Sequence, residues 1–134
     1  MATYNKFQPW VEYLVEGVNC DSDQFVVALS NTLPVNTNAT LSQITEISYT
    51  NLSSRNLTTT TKTQTGGTYT LDFSDLILTA SGSVGPFRYV VIYDDTVAGD
   101  PLVAWFDYGA GGVTMQSGDT FTLTFNASGL FTVT

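Results

Sequence analysis

The sequence predicts an all-β domain, a jelly-roll-like β-sandwich with a short N-terminal helix. Two observations predict it. Only 12% of the residues are charged, while Thr recurs throughout beside seven Tyr, eight Phe and two Trp. Thr is stiff at χ1 and suits a half-exposed pleated surface, so the polar side of this chain is built from a strand-former. Apolar and polar residues also alternate with period two in several short runs, broken by Gly, Pro, Asn and Asp about every 8–12 residues, as in sandwiches and barrels. At 134 residues, with 43% hydrophobic, the chain has the size and apolar content of one domain, 1–134, with its own core. No linker, second composition zone or internal repeat interrupts it.

Taken in order, residues 1–20 form an N-terminal helical segment. Pro9 suits a first turn and Gly17 a stop. Trp10, Val11, Leu14 and Val18 share one face, with Glu12 and Glu16 on the other. Phe25 to Leu29 is an apolar run of strand length, and Thr32 to Asn38 a loop. Thr40 to Ile47 fits one or two helical turns, capped by Thr40 with Gln43 three residues on. Within residues 50–65, Asn56 to Gln64 is polar and Thr-dominated, an edge strand or an extended arm. Gly66-Gly67 turns the chain into the alternating Tyr69, Leu71 and Phe73, followed by Leu76 to Leu78 and a break at Gly82 to Pro86. Arg88 to Tyr93 is the strongest strand signal. A loop from Asp94 to Pro101 leads to the strand Leu102 to Tyr108 and the glycine-rich turn Gly109 to Gly112. Phe121, Leu123 and Phe125 alternate with Thr, and Asn126 to Gly129 turns into a last strand, Leu130 to Val133.

Charge and residue types narrow the chemistry. Twelve acids face only Lys6, Arg55, Lys62 and Arg88, a net charge of −8. Nucleic acid and anionic membrane are therefore not expected partners. There is no His, which removes the usual nucleophilic triads and most zinc sites, and neither a metal nor a cofactor is expected. The lone Cys20 cannot form an intrachain disulfide and reads as a buried apolar thiol. Asp72, Asp75, Asp94, Asp95, Asp100 and Asp107 sit at strand ends and turns, where Asp is expected from turn chemistry. A carboxylate-pair glycosidase and a Ca²⁺ site at Asp94, Asp95 and Asp100 are the sharper alternatives. Tyr89, Tyr93, Trp105, Phe106 and Tyr108 could stack on a sugar, with Trp105 and Tyr108 as platform, but alternation sends about half of such residues into a core. The N-terminus lacks the cationic start and apolar run of a signal peptide, so synthesis in a cytosol is expected. The chain is not expected to be an enzyme.

One stretch carries a resemblance. Gly85-Pro86-Phe87-Arg88-Tyr89-Val90-Val91-Ile92-Tyr93-Asp94-Asp95-Thr96 is followed by Asp100-Pro101-Leu102-Val103-Ala104-Trp105-Phe106-Asp107-Tyr108-Gly109 and then Gly118-Asp119-Thr120-Phe121-Thr122-Leu123-Thr124-Phe125. Together with Ile47 to Arg55 and Tyr4 to Phe7, this pattern of strands and turns resembles a family of small tailed-bacteriophage virion proteins, the head cement or decoration proteins. The resemblance implies a β-sandwich on the capsid exterior, made in the bacterial cytoplasm. It would bridge neighbouring major capsid proteins as a homodimer or homotrimer, with no catalytic residues. A tail- or fibre-associated receptor- or carbohydrate-binding β domain is the alternative. The expected contact residues are Phe7 and Trp10 of the N-terminal segment and Arg55, Thr59 and Thr61 of the arm.

Overall fold

In a computed structural model that describes residues 2–134, the strongest apolar runs form the centre of a four-stranded antiparallel sheet. Its strands are β1 (Thr3–Lys6), β2 (Phe25–Ser30), β7 (Tyr89–Asp94) and β8 (Leu102–Asp107), in the order β1-β8-β7-β2. Every residue of β2 and β7 is buried, so this sheet is covered on both faces. One face carries Phe25, Val27, Leu29, Val90 and Ile92 into the main core, opposite Leu71, Phe73, Leu78 and Leu123 of the other layer. The other face carries Val26, Ala28, Val91, Tyr93 and Trp105 into a second cluster, closed by Phe7 and Ile44. Two-sided burial explains why these strands read as continuous apolar runs instead of alternations.

The second layer is built on one bent path. Strands β4 (Thr68–Phe73) and β5 (Leu76–Thr79) follow each other with only Ser74 and Asp75 between them. β10 (Thr120–Leu123) pairs antiparallel with β5, and β11 (Phe131–Val133) with β4. At the bend, an Asp75 carboxylate oxygen accepts the Phe125 N–H at 3.0 Å. On the other side of β4 lies β3 (Thr59–Thr65). The short pair β6 (Val84–Phe87) and β9 (Val113–Met115) closes one end. The fold is all-β and sandwich-like, with one short helix, α1 (Trp10–Glu16).

Backbone hydrogen bonds of segment 46–57 join the two layers along one side. Segment 46–57 runs beside β2, where Val27 N–H donates to Arg55 O at 3.0 Å and Leu57 N–H to Phe25 O at 2.9 Å. The same segment then passes to the second layer, where Ser53 N–H donates to Thr79 O at 3.0 Å. On the far side, β1 and the β10–β11 path each keep an unpaired edge. That side of the sandwich is an open seam.

Two regions depart from the sequence reading. Thr3–Lys6 is a strand, although its residues show no strong alternation, because β8 supplies a partner more than ninety positions away (Thr3↔Asp107 to Lys6↔Ala104). The region read as a break at Gly82 to Pro86 holds most of β6, and residues just after the glycine turn form β9. Gly85 makes that pairing possible: its φ is +98°, and a Cβ there would lie 2.7 Å from Val113 O. Thr40 to Ile47 follows the sequence reading: it holds one turn, the 3₁₀ turn Leu41–Gln43, and the Gln43 Oε1 accepts the Thr40 N–H at 3.2 Å as the capping pattern predicts.

Candidate functional site

The N-terminal contact residues expected from sequence are internal. Phe7 is 0% exposed and packs its ring 4.6 Å from that of Trp105, sealing the outer face of the first sheet. Trp10 is 3% exposed and sits edge-on to Phe25 and Phe131. Both are core residues of the isolated domain, which corrects their reading as surface contact residues. The physical reason is that β1 holds the N-terminal segment against β8, and the chain then turns inward.

The surface of that segment belongs to other side chains. Val15 is 81% exposed and Val11 51%, one turn apart on the outer face of α1. Val11 therefore lies opposite the face assigned to it by spacing. Leu33 and Val35, in the loop after β2, are 61% and 55% exposed. The Gln8 N–H donates to Asn36 O at 2.7 Å and ties that loop to the start of the helix. Four aliphatic side chains thus stand in water in two adjoining segments, a pattern that marks contact surfaces when contiguous. Spacing alone could have found Val11 and Val15 as an i, i+4 pair, but only tertiary packing selects which face of a short helix is covered.

The 50–65 arm resolves into two parts. Residues 52–57 are stitched between the layers, and Leu57 is buried. Arg55 belongs to this stitch: its guanidinium donates to Val27 O at 2.5 Å and lies 3.7 Å over the Tyr49 ring. At least one of its donors serves the fold. Thr59 and Thr61 are half-buried on β3, which pairs with β4 on one side and has no strand on the other. The segment is an edge strand and not a free arm. Thr60, Thr63 and Thr65 also lie on β3, so this open edge is hydroxyl-rich. Lys62 leans back to Asp21, donating to its backbone oxygen at 2.7 Å and pairing with its carboxylate at 2.8 Å.

The open seam holds a groove of about 510 Å³, lined by Tyr4, Phe106, Tyr108, Thr122, Thr124 and Phe125 among others. Tyr4 meets Phe106 edge-on at 5.6 Å between ring centroids. Burial pushes the Tyr108 phenol up to about 12, and the Tyr4 phenol also upward. Among the described residues, no charged side chain lines the groove. The stacking platform expected at Trp105 and Tyr108 does not form, because Trp105 is buried with Tyr89 and Tyr93 in the second cluster.

The acids are spread over turns and pairs. Asp107 accepts two bonds from Arg88, at 2.7 and 3.0 Å, and a third from Gly109 N–H at 2.8 Å. Those bonds hold its carboxyl below the usual carboxylate range. Asp94 is wholly buried at the end of β7, while Asp100 borders a shallow depression with Glu46. Among the described residues, no three His, Cys, Asp or Glu side chains converge as metal ligands. Cys20 is buried, and burial, followed by the nearby Asp94 and Asp23 charges, pushes its thiol up to about 11. Comparison with family models, curated proteins and solved structures finds no match to the chain.

Proposed function

We propose that this protein is a capsid cement or decoration protein of a tailed phage. In this reading it is made in the bacterial cytoplasm and binds the outer surface of the head as a homodimer or homotrimer. There it stabilises contacts between major capsid proteins, without catalysis, cofactor, nucleic acid or membrane. The observation that carries the reading is the set of exposed aliphatic side chains Val11, Val15, Leu33 and Val35, which stand in two adjoining segments of an acidic domain, whereas the exposed Ile77 and Val133 lie on other strands. Such a set gains by being covered, at roughly 25 cal/mol per Å² of apolar surface. The open β3 edge, with Thr59 and Thr61, supplies a second contact through backbone pairing. A high copy number multiplies modest contacts into firm attachment, and the net charge of −8 keeps decorated particles apart.

The test is cosedimentation of the purified protein with shells that lack it. Val15→Asp should fold normally, because the site is exposed, and should bind at least about tenfold more weakly. Unchanged binding would remove the aliphatic surface from the interface.

A second reading, a carbohydrate-binding domain of a tail or fibre, is favoured by the seam groove. Its aromatic rings beside Thr hydroxyls, without charge, suit a neutral sugar. Glycan titration followed by NMR shifts of Thr122 and Thr124 separates the two, and loss of those shifts in Tyr108→Ala would locate the sugar in the seam.

A further inference from the structure

Asp94 has an oxygen with no ordinary partner. Its Oδ1 accepts the Thr96 N–H at 2.9 Å and the Val97 N–H at 3.3 Å. Its Oδ2 is buried and receives no N–H or O–H from any donor among the described residues. A buried carboxylate oxygen left bare is costly, and native proteins rarely tolerate it. The side chain within hydrogen-bonding reach is another carboxyl, that of Asp23. Asp23 already accepts the Asn19 N–H through its Oδ2 at 2.8 Å. As two carboxylates, neither side chain has a hydrogen to offer the other. With a proton on Asp94, its buried oxygen gains a hydrogen to donate to the Asp23 carboxylate.

We propose that a proton on Asp94 bridges it to Asp23 and forms a pH-sensitive latch that docks the Asn19–Gln24 loop onto the β7–β8 loop. The surrounding bonds show what the latch holds. Gln24 N–H donates to Thr96 Oγ1 at 2.9 Å, and Asp95 N–H donates to Gln24 O at 2.9 Å. The same loop carries Asp21, which engages Lys62 of β3. Three parts of the chain, the α1–β2 connection, the β7–β8 loop and the outer strand β3, therefore meet at residues 19–24.

The charges around the pair point the same way. From the α1–β2 loop come Cys20 and Asp21, from the β7–β8 loop Asp95, and from β4 Tyr69, which lies near Cys20 and Asp21. None of these is a cation. Lys62 is committed to Asp21. Burial first, then the Asp23 hydrogen bond and charge, push the Asp94 carboxyl up to about 6, although the Thr96 and Val97 N–H groups pull it down. The folded value lies above the unfolded one, so the sign is fixed. Docking is strongest below about pH 4, weakens as pH rises through about 6, and is flat above that.

Hydrogen exchange on the intact protein, corrected for intrinsic rates, tests the latch. Amide protection at residues 23–25 and 95–97 should fall on the order of 100-fold between pH 4 and pH 7.5, while protection in the centre of β8 falls less. Asp23 is only half-buried, so Asp23→Asn should fold; its amide donates to Asp94 without a titrating proton. That variant should keep high protection at pH 7.5 and lose the transition. Asp21→Asn should retain the transition, because it removes the Lys62 pair and not the latch. A pH-independent wild type, or a transition that survives in Asp23→Asn, would overturn the proposal. So would Ca²⁺ restoring protection at pH 7.5 in the wild type, which would assign the two carboxylates to a cation instead of a proton.

Discussion

Phe7→Ala separates a core residue from a contact residue more sharply than any other substitution. Phe7 is fully buried, and its ring lies 4.6 Å from Trp105. Removing a buried Phe side chain costs about 3–5 kcal/mol, with the lost aromatic pair included in that range when the site relaxes only partly. The low end applies here, because Phe7 belongs to the smaller cluster, whose member Ile44 ends an exposed 3₁₀ turn that can settle inward. Unfolding entropy near 2.1 cal/mol/K per residue over 134 residues converts a loss of about 3 kcal/mol into a fall in Tm of about 10 °C. The assay is thermal unfolding by circular dichroism, paired with shell cosedimentation at a temperature where the variant remains folded. The Tm should drop by that amount while binding per folded molecule is unchanged. A variant with wild-type Tm and lost binding would refute the burial argument and return Phe7 to the interface.

Three further outcomes follow from particular contacts. Gly129 has φ +100°, and a Cβ there would lie 2.6 Å from Thr70 Cγ2 and 3.0 Å from Leu71 O, so Gly129→Ala should lower stability by about 2 kcal/mol, read from the urea midpoint. The Asp107 carboxyl is held below its ordinary value by Arg88 and Gly109, so its contribution is present above about pH 4 and lost as pH falls through the lowered folded value. Asp107→Asn should flatten that acid limb of the stability profile, measured by denaturant unfolding across pH 2–5. With its thiol pushed up to about 11, Cys20 should alkylate with iodoacetamide at pH 8 about 100-fold more slowly in the native protein than in guanidinium, followed by mass spectrometry.

What the sequence discloses about the fold depends on how locally each element is determined. β7 and β8 announce themselves because apolar residues run unbroken through most of each strand, as two-sided burial requires. The helix bounds come from Pro9 and Gly17, which act within a turn or two. β1 and β9 are different. Thr3–Lys6 is a strand only because β8 lies beside it, and Val113–Met115 only because β6 does. Tertiary pairing overrides weak local preference there. The candidate surfaces follow the same rule. Thr59 and Thr61 were legible as edge residues from a polar Thr run. Phe7 and Trp10 were not legible as core, since a large aromatic near a terminus fits either a contact or a core, and only the path of β1 decides between them. Val15 and the seam groove were hidden for the converse reason: exposure is a property of what fails to pack, and no residue pattern encodes it directly.

The central claim is that this domain coats a capsid, and its copy number in purified particles tests that most directly. Virions whose genome encodes this chain would be run on a quantitative gel, with the band measured against the major capsid protein. The account predicts a near-stoichiometric ratio, hundreds of copies per particle. A ratio of a few per cent would place the protein in the tail, and its absence from particles would contradict the account altogether.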